Sequence, residues 1–110
     1  MTGLKGEPGE SISSPEVTVS PVTQIVTENQ TAIFYCSVSG NPRPVVTWSK
    51  VNGSLGEEVT STNDGKLEIL DSSYNDTGMY ICEAISALGQ DQKMTNLVVE
   101  GGSLLLFSWL

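Results

Sequence analysis

Two cysteines, Cys36 and Cys82, and the complete absence of histidine set the limits of the chemistry open to this 110-residue chain. A thiolate can serve as nucleophile, redox partner or metal ligand, but each role needs companions. Without histidine, no Ser/His/Asp or Cys/His relay can be assembled. Two thiolates are also too few for a four-coordinate zinc site. Glu57-Glu58 is the sole adjacent acidic pair, which a solvated loop explains. Neither an Asp-x-Asp-x-Asp-Gly calcium loop nor a glycine-rich phosphate loop occurs. The sequence therefore reads as that of a non-enzyme, with no catalytic residue, no metal and no cofactor. A formal net charge of −8 has the wrong sign for phosphate backbones and anionic membranes, which removes nucleic acid from the partners to consider.

The elements that must hold these cysteines are short strands. Ala32, Phe34, Cys36 and Val38 alternate with Ile33, Tyr35 and Ser37, and a period of two places one set on a single face. Trp48 follows Cys36 by twelve residues in a second such run, and Cys82 closes the string Asp76-Thr77-Gly78-Met79-Tyr80-Ile81-Cys82. Pro15 to Pro21 reads as an edge strand, since proline belongs at strand starts and edges. Further strands are expected over 22–28, 31–39 and 45–51, with Asn63-Asp64-Gly65 as a turn before Leu67-Glu68-Ile69. A short helical turn is expected at Ser73 to Asp76.

Over residues 14–100 the chain resembles the I-set branch of the immunoglobulin superfamily. The resemblance is carried by Gly40-Asn41-Pro42-Arg43-Pro44-Val45-Val46-Thr47-Trp48-Ser49-Lys50, by Leu67-Glu68-Ile69, by Cys82-Glu83-Ala84, and by Gly89 with Leu97-Val98-Val99. It implies an all-β, immunoglobulin-like Greek-key β-sandwich of two antiparallel sheets. In that fold Cys36 and Cys82 join in one inter-sheet disulfide and Trp48 packs against it. Tyr80, two residues before the second cysteine, becomes the tyrosine whose hydroxyl returns to the backbone. Trp48, Tyr80 and Asp76 are the core positions so expected. The segment 59–62 would be strand D or C′ of the family. Ser72 stands where the family has an aliphatic residue, with Leu70 or Tyr74 expected to substitute in the packing. Ser86 stands where an Asn is common, which should weaken a hydrogen bond of the following turn.

The length fits one domain of this type. A domain of that size is marginal, and a bridge closing some 45 residues contributes about 2–4 kcal/mol. Two cysteines at sandwich spacing with no third point to an oxidising, extracellular setting: secreted, matrix or cell-surface. Three Asn-x-Ser/Thr motifs, at Asn29, Asn52 and Asn75, are candidate N-glycosylation sites, although a chain rich in Asn, Ser and Thr yields such motifs by composition too.

Residues 1–13 and 101–110 have a different character. Gly3, Gly6 and Gly9 recur every third position in Gly3-Leu4-Lys5-Gly6-Glu7-Pro8-Gly9-Glu10-Ser11, the period of a collagen triple helix. A triple helix there would make the protein a homotrimer; a Gly/Pro linker is the other reading. No secretory leader precedes it, so the chain reads as a piece of a longer protein. Leu104 to Leu110 is apolar but far shorter than the roughly 20 residues a membrane span needs. It reads as a disordered or artefactual end, or as the start of a truncated span.

Alternation also says where a partner could sit. With Trp48, Tyr80, Cys82 and Ala84 facing inward, Val45, Met79, Ile81 and Ile85 face outward from the sheet of the family's strands C, F and G. Apolar residues at outward positions mark either an interface or packing under neighbouring strands. The expected role is an extracellular, non-catalytic protein-binding module of cell adhesion or matrix assembly. It would bind a protein ligand, or a second copy, through the C-F-G sheet. The alternative is an ectodomain fragment of a signalling or immune receptor.

Overall fold

The computed structural model describes residues 11–101. The triplet segment 1–10 and the apolar tail 102–110 lie outside the described residues. Eight strands are present among them: β1 (Ser13–Ser20), β2 (Thr23–Thr27), β3 (Ala32–Asn41), β4 (Val45–Lys50), β5 (Val59–Ser61), β6 (Lys66–Ile69), β7 (Gly78–Ser86) and β8 (Gly89–Glu100). They form two four-stranded sheets, ordered β1-β3-β6-β5 and β2-β8-β7-β4. Each has one apolar face that must be covered, and stacking the two makes the core.

The alternation read from the sequence explains the layering. Along β3, Ala32, Phe34 and Cys36 are buried while Tyr35, Ser37 and Ser39 face solvent. From β8, Thr95, Leu97 and Val99 point inward, as do Tyr80, Cys82 and Ala84 from β7. Cys36 and Cys82 are bonded, with an S–S distance of 2.03 Å, so the bridge joins the middles of the two sheets. Phe34 lies 6.4 Å, centroid to centroid, from both Trp48 and Tyr80, which builds one aromatic cluster beside the disulfide.

Several expectations change. The sheets are not both antiparallel, because β2 pairs parallel with β8. The chain leaves the first sheet after Ser20, crosses at Pro21 and continues in the same direction at the edge of the second; without a hairpin it cannot reverse. Strand β5 pairs with β6, which makes it the family's strand D rather than C′. Asp76 is half-buried and belongs to the corner, not the core. Its carboxylate accepts the Ser73 N–H at 2.9 Å, and its carbonyl accepts the Tyr80 hydroxyl at 2.6 Å.

Leu70 and Tyr74 do not substitute for Ser72, since both are exposed. Ser72 itself is buried, and its backbone ties two turns together: its carbonyl accepts the Asn29 N–H at 2.7 Å and its N–H donates to the Gln30 carbonyl at 3.0 Å. A small polar residue works there because hydrogen bonds, not side-chain volume, close the contact. Ser86 keeps a turn hydrogen bond as well, accepting the Leu88 N–H on its hydroxyl at 3.1 Å.

Candidate protein-binding face

Residues directly opposite in an antiparallel pair point to the same side of the sheet, so register alone maps the outward face of β2-β8-β7-β4. The first row is Val45, Ile85 and Gln90; the second is Thr47, Glu83 and Gln92; the third is Ser49, Ile81 and Met94. Met79 and Asn96 then meet Thr23, and Val98 meets Ile25.

Val45 is 68% exposed, Ile25 60%, Met94 49% and Ile85 46%, with Met79 also exposed. Ile81, expected in the open, is half-buried because Ser49 and Met94 flank it on either side. The four outward apolar residues expected from the sequence are therefore not one patch. Val45 and Ile85 form a pair near the turns at 42–44 and 87–88, and the row of Thr47, Glu83 and Gln92 separates them from Met79 and Ile81.

The structure adds Met94, Ile25 and Val98 to the second group. The expected outward set draws only on the runs that hold Trp48 and Cys82, whereas Met94 and Val98 lie on β8 and Ile25 on β2. The signal was there: Thr95, Leu97 and Val99 alternate with Met94, Asn96 and Val98.

The opposite sheet behaves differently. Its outward rows are Glu16 with Ser39, Thr18 with Ser37, Ser20 with Tyr35 and Lys66, and Ile33 with Glu68 and Thr60. Three of these residues, Glu16, Lys66 and Glu68, carry charge, and two, Ile33 and Tyr35, are a large aliphatic and an aromatic side chain. The other face has two ionisable side chains, Glu83 within it and Glu100 at its end opposite Thr27, among six large apolar ones besides Ile81. Depletion of charge with enrichment of methionine is the composition of an interface centre.

Other features account for the remaining candidates. A shallow cleft of about 170 Å³ lies between Cys36, Val38, Arg43, Pro44 and Asp64. That is below the roughly 300–1,000 Å³ of small-molecule sites. Asp91 projects from β8 to the first sheet, where its carboxylate accepts the Val17 N–H at 2.8 Å. This covers a donor on the free edge of β1, and the bond holds the Asp91 carboxyl below its usual range, with Lys93 adding a smaller pull. Burial pushes the Tyr80 hydroxyl up to about 12, and nearby Asp76 adds to the shift. Asn29, Asn52 and Asn75 are all exposed, each in a turn.

A family model for the immunoglobulin domain matches residues 14–86. The chain is an immunoglobulin domain. It is 36% identical over 98 residues to a probable oxidoreductase of Homo sapiens, covering 87% of this chain and 7% of that protein. To the basement membrane-specific heparan sulfate proteoglycan core protein of Mus musculus it is 33% identical over 105 residues, 94% of this chain and 3% of that one. Among solved structures, the full ectodomain of mouse nectin-like molecule 4 superimposes with a TM-score of 0.71 at 30% identity, over 83% of this chain and 32% of that one. The domain thus spans a small fraction of the curated relatives it matches.

Proposed function

We propose that this immunoglobulin domain is a non-catalytic module that binds another protein outside the cell, in adhesion or matrix assembly, through the outward face of β2-β8-β7-β4. The observation that carries this reading is the contrast between the two outward faces: one polar and charged, the other apolar, methionine-bearing and with Glu83 alone as a charge near its centre. The disulfide and the basement-membrane and ectodomain relatives support the extracellular setting. With a net charge of −8, two copies repel, and Glu83 is best met by a cation. The partner fitted to this face is therefore a different protein that presents apolar residues around a lysine or arginine.

Bead adhesion tests this. Beads carrying the domain should bind adherent cells or the matrix those cells deposit. Val45→Glu combined with Met94→Glu should reduce binding by about tenfold or more, the scale of losing an interface anchor. Tyr35→Glu on the opposite face should not. Equal loss from both faces, or none from the first, contradicts the reading.

A further inference from the structure

The three glycosylation motifs are on turns that crowd one pole of the sandwich. Asn29 lies between β2 and β3, Asn52 follows β4, and Asn75 lies in the 3₁₀ turn Tyr74–Asp76 that leads into β7. Cross-links hold these turns together: the Asn29 N–H reaches Ser72, and the Lys50 ammonium donates to the Asn75 carbonyl. The last residue of β8, Glu100, is at the same pole, where its carbonyl accepts the Glu28 N–H at 2.8 Å. The turns at 42–44 and 87–88 occupy the other.

The three motifs differ in freedom. Asn52-Gly53-Ser54 makes no hydrogen bond among the described residues. Asn29-Gln30-Thr31 is pinned by the Ser72 bonds and by the Gln30 carboxamide, which accepts the Thr27 N–H at 2.9 Å. Asn75-Asp76-Thr77 is pinned more firmly. Its Thr77 hydroxyl, the group a transferase must read, already accepts the Val99 N–H at 2.9 Å, and its Asp76 carbonyl holds the Tyr80 hydroxyl. A transferase needs the asparagine amide and the hydroxyl two residues on in one free segment. The folded domain offers that at one motif and withholds it at two.

We propose that Asn52 is an N-glycan acceptor on folded and unfolded chain alike, whereas Asn29 and Asn75 accept glycan only before the disulfide-linked sandwich closes. In each case the amide nitrogen attacks the anomeric carbon of an oligosaccharide carried on a polyisoprenyl pyrophosphate. A nitrogen–carbon bond forms, the carbon–oxygen bond to the pyrophosphate breaks, and the lipid pyrophosphate leaves while the amide proton passes to a base of the transferase. The Asn52 glycan stands at the pole where β8 ends, and partners are left the outward face and the opposite turns. This rests on the extracellular reading above.

The test expresses the full chain behind a cleavable secretory leader in mammalian cells, with and without dithiothreitol during synthesis, and reads occupancy at each asparagine by glycopeptide mass spectrometry. Asn52 should be occupied to the same extent in both. Asn29 and Asn75 should be under-occupied in oxidising cells and rise severalfold with the reductant. Cys36→Ser, which removes the bridge and so weakens closure by a separate route, should raise the same two. An empty Asn52, or occupancy at Asn29 and Asn75 that ignores both perturbations, overturns the proposal. Because the leader delivers the chain, such a failure is distinct from failure of the binding reading, which the bead assay decides.

Discussion

Replacing Gly65 by alanine should be among the most damaging single-methyl additions in the domain. Gly65 adopts φ +101°, a region open to glycine, and a Cβ there would lie 2.0 Å from the Cys36 carbonyl oxygen and 3.1 Å from its carbon. The obstacle is backbone, so the β5–β6 turn has to move away. The Gly65 carbonyl accepts two buried donors, the Trp48 indole N–H at 3.0 Å and the Cys36 N–H at 2.9 Å, and moving it weakens both. Backbone strain of about 1–3 kcal/mol plus about 1 kcal/mol for each bond gives a loss of roughly 3–5 kcal/mol. A domain of this kind has about 5–15 kcal/mol in all. Urea unfolding followed by far-ultraviolet circular dichroism, with the disulfide intact, reads the change. At about 2 kcal/mol per molar urea the midpoint falls by roughly 2 M. Gly53→Ala is the control, because its Cβ meets only the Lys50 side chain at 3.9 Å, and it should stay within about 0.5 kcal/mol. A Gly65→Ala loss under about 1 kcal/mol would refute the reasoning, since it would mean that the turn yields without disturbing Trp48.

Other outcomes follow from the core and its edges. Removing the bridge by Cys36→Ala with Cys82→Ala should cost about 4 kcal/mol by the loop-entropy relation, given a separation of 46 residues, and urea titration of the double variant measures it. Thermal melts across pH should show two limits. Asp91 has a lowered carboxyl pKa in the fold, so its stabilisation is present above pH 3.8 and is lost as pH falls below that; Asp91→Asn should flatten this acid limb. Tyr80 is raised, so its contribution is present below pH 10.0 and is lost as pH rises towards about 12; Tyr80→Phe should remove that alkaline limb.

The centre of the domain was legible in the sequence because it is local alternation repeated. Cys36, Trp48, Tyr80 and Cys82 each sit in a run whose period of two fixes their direction before any partner strand is known. What alternation cannot give is the neighbour across the sheet. The burial of Ile81 depends on Ser49 and Met94, the division of the apolar face depends on the row holding Glu83, and β5 is identified only by its pairing with β6. The bond between Asp91 and Val17 spans 74 residues and has no local signature at all. Ser72 misled for another reason: its position is satisfied by backbone hydrogen bonds, which side-chain type does not report.

The face itself carries its own reporters. Met79 and Met94 lie on the outward surface of β7 and β8, both partly open to solvent, and thioether oxidation by peroxide tracks that access. Brief peroxide treatment of the domain, free and bound to cell-deposited matrix, followed by peptide mass spectrometry, tests directly whether a partner covers them. Met94 and Met79 should be protected severalfold in the bound state relative to the free domain. Equal oxidation of Met94 in the free and bound states would contradict the assignment of this sheet as the binding face.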